Sequence, residues 1–189
     1  MTGDEAVVAM VDALDASGIA YMLVGSLATN FYGVPRATED ADFVIELGGV
    51  PLSEVMARLG SDFRLDRQGS FETITMTRRH LVHVASSPFT IELFYLSDDV
   101  HDQERFRRRR PVTLFGRQVS LSTAEDMIVT KLRWAITRAG TKDRDDARDV
   151  IAIQRDRLDW DYIQSWADRH GTRALLDEIR RELSPDAAG

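Results

Sequence analysis

The chain has 189 residues, 43% of them hydrophobic and 29% charged, and a formal net charge of −7. That length can bury a real core, as one domain or one domain with an appendage, and the balance is that of a soluble globular protein. Zero cysteines exclude disulfides and thiolate metal sites, and the acidic total argues against a general nucleic-acid coat.

The N-terminus, MTGDEAVVAM, lacks the basic region and apolar stretch of a signal peptide, and no later run approaches a membrane span. A cytoplasmic setting without a membrane partner is the expectation. Residues 4–17 place Val7, Met10, Val11 and Leu14 at helical spacing behind a Thr2/Glu5 capping box, and Gly18 stops that helix. Tyr21 to Val24 then reads as a strand that ends at Gly25-Ser26. A short helix with Leu27, Ala28 and Phe31 follows, then a loop from Gly33 to Thr38. The next strand opens on Glu39-Asp40-Ala41-Asp42 and closes at Gly48-Gly49. Pro51 suits the first turn of a helix with Leu52, Val55, Met56 and Leu59 inward.

From Phe71 to Leu96 the composition is β-rich, with Thr90, Glu92 and Phe94 on one strand face. Gly116-Arg117 reads as a hairpin turn. The run Arg105-Phe106-Arg107-Arg108-Arg109-Arg110 is the one concentrated basic segment, either a contact for a polyanion such as RNA or a solvated connector. After it the strand signal ends. A capping box at Ser122-x-x-Glu125 opens a helix with Ile128, Leu132, Ala135 and Ile136 in one stripe, and further helices read at 143–155, 160–169 and 172–183. The expected division is therefore a core over 1–121 and a C-terminal helical bundle over 122–189 that packs on it, with a frayed tail from Ser184. The three tryptophans, Trp134, Trp160 and Trp166, are expected in the core of the bundle.

Three groups could carry chemistry. Gly25-Ser26 puts backbone N–H groups at a helix start, where an anion can sit; a plain N-cap is the bland alternative. Asp40 and Asp42 share one strand face, with Ala41, Phe43, Ile45 and Leu47 on the other. Two such carboxylates repel unless a positive charge stands between them, and a hard, oxygen-liganded divalent cation suits that place. Glu92 is a charge inside the apolar strand TIELF, so it faces solvent or a polar site. The four histidines show no metal-ligand spacing.

Gly25-Ser26, then Gly33-x-x-Arg36-x-Thr38-x-Asp40-x-Asp42, then Glu92, resembles the polymerase-β-like nucleotidyltransferase superfamily, and within it the minimal bacterial branch with the abortive-infection-type toxins. Ala41 departs from the branched residue usual between the two acids. Thr123-Ala124-Glu125-Asp126-Met127-Ile128-x-x-Lys131-Leu132 resembles the helix after the core in that branch, and Arg138 with Lys142-Asp143-x-x-Asp146 its later Arg…Lys-Asp-x-x-Asp element. The resemblance spans about residues 20–155. It implies an α/β (α+β) fold, with a mixed-sheet nucleotidyltransferase core followed by a helical bundle. It also implies Mg²⁺ or Mn²⁺ at Asp40, Asp42 and Glu92, and a nucleoside triphosphate as substrate. Gly25, Ser26, Arg36, Lys131, Lys142 and Asp146 would serve the nucleotide, and Asp40, Asp42, Glu92 and Lys131 the chemistry. The implied acceptor is RNA, at the tRNA acceptor end, with an antitoxin protein as partner. A small molecule or antibiotic as acceptor, or a catalytically silent binding protein, are the alternatives.

Overall fold

A computed structural model of the chain describes residues 1–66, 68–72, 74–85, 87–137 and 141–184. Arg138 and the tail beyond Ser184 lie outside them. Helix α1 (Gly3–Ala16) has the reciprocal cap its sequence signals: the Glu5 amide donates to Thr2 Oγ1 at 3.2 Å, and the Thr2 amide to Glu5 Oε2 at 2.8 Å. β1 (Ala20–Val24), α2 (Gly25–Tyr32) and β2 (Asp40–Glu46) follow, then α3 (Leu52–Leu59), with Pro51 as its N-cap residue and not in its first turn. The β-rich middle resolves into β3 (Phe63–Leu65), β4 (Ser70–Glu72), β5 (Thr77–Val84) and β6 (Thr90–Tyr95). Helix α4 (Val100–Arg108) leads to the hairpin of β7 (Arg110–Leu114) and β8 (Arg117–Leu121). Its two-residue turn is Phe115-Gly116, with φ of 50° and 73°, one residue earlier than the glycine suggested. A two-residue hairpin of the type that matches strand twist needs positive φ at both positions, so the phenylalanine accepts the strain and glycine takes the second place.

Among the described residues these strands form one mixed sheet, ordered β3-β5-β6-β2-β1-β8-β7 with β4 on the edge of β5. β2 runs antiparallel to β1 and parallel to β6. One face buries Tyr21, Leu23, Phe43, Ile45, Val82, Ile91 and Leu93. On the other, Met22, Val24 and Val44 pack with Phe106 of α4. Alternation thus gives β2 an apolar row at Ala41, Phe43 and Ile45, and a second row that begins with acids and becomes apolar only at Val44.

The chain divides into two compact units, one of Met1–Leu27 with Ala37–Ser122, the other of Ala28–Arg36 with everything from Thr123 on. The short stretch 28–36 thus belongs with the C-terminal helices, a membership no periodicity signals. Those helices are α5 (Ala124–Ala135), α6 (Lys142–Gln154), α7 (Trp160–His170) and α8 (Arg173–Glu182). The cap of α5 is Thr123, whose Oγ1 accepts the Asp126 amide at 3.2 Å, one residue later than the Ser122/Glu125 pairing suggested. Ile128, Leu132, Val150, Ile163, Trp166, Leu176 and Ile179 form this unit's apolar centre, while Trp134 and Trp160 are only half-buried. Among the described residues no helix is long and apolar enough to cross a membrane.

Candidate active site

The end of β1 and the starts of β2 and β6 come together in the first unit, because β2 returns antiparallel beside β1 and β6 lies parallel beside β2. Register fixes the rest: Val24 pairs with Asp42, and Asp42 with Glu92. Asp40, Asp42 and Glu92 therefore project from the same face of three adjoining positions, all half-buried.

Gly25 is where the backbone makes room. Its φ is +62°, and a Cβ built on it would fall 1.8 Å from Asp42 Oδ2 and 2.6 Å from Asp42 Cγ. The Asp42 carboxylate thus lies directly against the strand-to-helix turn, in space that any side chain at position 25 would fill. Ser26, the next residue, is buried. Asp40 is fixed from the loop just ahead of its strand: Thr38 Oγ1 donates to Asp40 Oδ1 at 2.6 Å. Thr38 belongs to the quoted motif, but its alternation with Asp40 gives it a role the motif alone does not state.

Glu92 has a different partner. Arg79 Nη1 of β5 donates to Glu92 Oε2 at 2.9 Å, and Arg79 Nε donates to Ser70 Oγ at 2.8 Å. Nothing in the local sequence links positions 79 and 92, since only the β5–β6 register places them on one face. Among the described residues no group of three or more histidines, aspartates or glutamates stands together in metal-holding geometry. The chemistry of the donors still fits a hard divalent cation: Asp40 and Asp42 are oxygen donors on one face beside a glycine turn. Glu92 adds a third carboxylate on that face, with its Oε2 on Arg79.

Arg36, Lys131, Asp143 and Asp146 lie in the second unit and form a charge network there. Lys131 of α5 is buried, and its Nζ stands 2.8 Å from Asp143 Oδ1 and 2.8 Å from Asp146 Oδ2. Arg36 reaches the same Asp146 through Nη2 at 3.3 Å. Its backbone is clasped by Asn30, which donates to the Arg36 carbonyl at 2.7 Å and accepts the Arg36 amide at 3.1 Å. Burial opposes ionisation of Asp146, yet the hydrogen bonds and charges of Lys131 and Arg36 outweigh it and hold the carboxyl below its ordinary range. Lys142 is exposed at the first position of α6. Asn30 was not legible as a functional residue, because its partner is a backbone six residues away in an irregular loop.

The basic run is largely spent inside its own unit. Arg105 is buried on Asp102, which also accepts Ser97 Oγ at 2.7 Å and the Ser97 amide at 3.0 Å. Burial alone would raise the pKa of Asp102, but Arg105 and the Ser97 donors pull it below the ordinary carboxylate range. Arg107 pairs with Glu104 at 2.7 Å, and the Arg109 guanidinium lies 4.2 Å from the centre of the Phe106 ring.

No protein-family model and no curated protein matches this chain in sequence. Solved structures do match it in fold. A solution structure of the antibiotic-resistance factor ANT(2'')-Ia aligns with a TM-score of 0.63 at 14% identity, over 96% of this chain and 97% of that one. A crystal structure of ANT(2'')-Ia in complex with adenylyl-2''-tobramycin gives 0.54 at 14%, over 97% and 100%. An antigenic nucleotidyltransferase-like protein from Paracoccidioides brasiliensis gives 0.54 at 20%, over 92% and 90%. The mixed sheet with C-terminal helices is a nucleotidyltransferase-like fold.

Proposed function

We propose that the protein is a metal-dependent nucleotidyltransferase, moving a nucleoside monophosphate from a nucleoside triphosphate to an acceptor hydroxyl. The observation that carries this reading is the Asp42 carboxylate set against the Gly25 turn, with Asp40 on the same face, in a fold shared with nucleotidyltransferases. The acceptor oxygen bonds to the α-phosphorus, the bond from that phosphorus to the bridging oxygen breaks, and pyrophosphate leaves. A divalent cation held by Asp40 and Asp42 would neutralise phosphate charge there and make the acceptor hydroxyl more acidic. The chain's own groups supply placement. The turn at Gly25-Ser26 offers backbone N–H groups to the triphosphate at the start of α2. Glu92, one strand over, takes the proton of the acceptor hydroxyl. Arg36 and Lys131, with Lys142 and Asp146, serve the nucleotide. In support, Asp143 and Asp146 already fix the buried Lys131, and Asp146 the half-buried Arg36, so little ordering remains to be done.

Two acceptor classes suit this chemistry. RNA, at the tRNA acceptor end of a toxin–antitoxin pair, draws on the motif resemblance and on the basic run. The internal pairing of Arg105, Arg107 and Arg109 weakens that support. A small hydroxyl-bearing cation is favoured instead by the net charge of −7 and by the likeness to ANT(2'')-Ia along nearly the whole of both chains. The test is incubation with labelled nucleoside triphosphates, with total RNA in one arm and aminoglycosides in the other, each with and without Mg²⁺. Metal-dependent labelling of one acceptor, lost in Asp42→Asn, is the expected result. Absence of labelling together with absence of nucleotide binding overturns the reading.

A further inference from the structure

Three acids occupy adjoining positions on one sheet face, and one of them, Glu92, already pairs with a cationic side chain that the motif does not contain. Arg79 sits on β5, which borders β6 on the side away from β2. Its guanidinium is held at both ends, Nε on Ser70 Oγ at 2.8 Å and Nη1 on Glu92 Oε2 at 2.9 Å. Glu92 thus has a carboxylate oxygen drawn toward β5, while its register partner Asp42 lies against Gly25 on the β1 side. The pair is not a loose surface contact, since the side chains are 34% and 18% exposed. A guanidinium is always charged and binds carboxylates in a fixed planar geometry, so it competes well with a cation for that oxygen.

We propose that Arg79 is a positioning residue: its pairing with Glu92 keeps this acid out of the metal shell and commits it to the acceptor hydroxyl. This rests on the nucleotidyltransferase reading and divides the labour within it. Asp40 and Asp42 hold the cation, and Glu92, without metal, is the proton acceptor. Removing the guanidinium should turn Glu92 into a metal ligand. Outer groups that orient the carboxylates of a metal site commonly change affinity by about 10–100-fold, so the effect is measurable.

The experiment is Mn²⁺ binding to the full chain without nucleotide, by calorimetry and by the paramagnetic resonance of free Mn²⁺. In the wild-type background Glu92→Gln should bind Mn²⁺ as the parent does, while Asp42→Asn loses binding. Arg79→Met should bind Mn²⁺ about 10-fold more tightly or take up a further ion. Arg79→Met/Glu92→Gln should return to the parental isotherm, and Arg79→Lys should stay close to it. Glu92→Gln weakening Mn²⁺ as much as Asp42→Asn does would overturn the proposal, and so would Arg79→Met binding like the wild type. Should Arg79→Met fail to fold, the Glu92→Gln arm still decides. If neither wild type nor Arg79→Met binds Mn²⁺, the nucleotidyltransferase reading falls first and the proposal with it.

Discussion

A single hydrogen at position 25 decides whether the acid pair can exist. Gly25→Ala meets two penalties at once: the backbone at φ +62° strains any L side chain, and the new methyl would stand 1.8 Å from Asp42 Oδ2. Strain of that kind costs about 1–3 kcal/mol, and the carboxylate must leave its place as well. The expected outcome is a lower Tm together with loss of Mg²⁺-assisted nucleotide binding, read by thermal melts and by titration with a fluorescent nucleoside triphosphate. An unchanged Tm would show that the turn relaxes freely. Asp42→Asn should separate the two effects, because it removes a charge while preserving shape. Its Tm should equal or exceed the wild type, since carboxylate repulsion is relieved, while the Mg²⁺-dependent gain in nucleotide binding disappears. Equal metal-assisted binding in both proteins would count against Asp42 as a ligand. Tyr21 offers a check on the core beneath the same strands. Burial first, and then the nearby Asp15 charge, push its phenol up to about 12 from 10.0. A raised pKa stabilises the fold below the unfolded value and ceases to do so as the pH climbs through the folded one. Stability should therefore fall between pH 10 and about 12, and Tyr21→Phe should flatten that part of the profile measured by denaturant melts.

Helices α5 and α6 are joined by more than their apolar stripe. Lys131 is buried with its ammonium between Asp143 and Asp146, so Lys131→Met leaves those carboxylates without it, and among the described residues only Arg36 still reaches Asp146. Breaking one side of a buried pair costs about 3–5 kcal/mol. The expected result is a clear loss of Tm, and a Tm within a degree of the wild type would mean that water reaches the network. Asp146 has a folded pKa below its ordinary 3.8, so its contribution is complete above that value and is lost as the pH falls through the lower one. Melts taken from pH 5 downward should show this loss, and in Lys131→Met it should shrink. The sequence could not reveal this network. On the helical wheel Lys131 merely borders the apolar stripe, and its burial depends on acids a loop away. Strand alternation, by contrast, puts Asp40 with Asp42 and Ala41 with Phe43 from the sequence alone, because period two is set by the backbone. Helix α4 was illegible for the opposite reason: it has almost no apolar stripe, and Asp99 at its cap with the buried Asp102–Arg105 pair holds it instead. The Phe115-Gly116 turn and the Thr123 cap each miss by one residue, as turn and cap residues fix an end only loosely.

At the scale of the whole molecule the issue is what its charge allows it to hold. A net charge of −7 repels RNA at long range, so an RNA acceptor would need a concentrated basic surface to offset it. The one run that could supply it is Arg105 to Arg110, and there Arg105 is buried on Asp102, Arg107 is on Glu104, and Arg109 lies over Phe106. Arg110 and Arg117 belong to the β7–β8 hairpin, but Arg117 is paired with Asp12 at 3.1 Å. A protein that grips several phosphates loses roughly 10³–10⁵-fold in affinity between about 50 and about 200 mM salt, through release of condensed counterions. This chain should bind total RNA weakly at the lower salt and show a shallow slope, whereas a small polycationic acceptor should be favoured by the same field. Filter binding across a salt series measures the first, and calorimetry with an aminoglycoside in the presence of Mg²⁺ and a non-hydrolysable nucleotide measures the second. Steep, salt-sensitive RNA binding that survives Arg110→Ser would place a basic surface elsewhere on the molecule and restore RNA as the acceptor. Weak RNA binding joined to tight, Mg²⁺-dependent capture of the polycation would leave the small molecule, because the charge that excludes one ligand is the charge that concentrates the other.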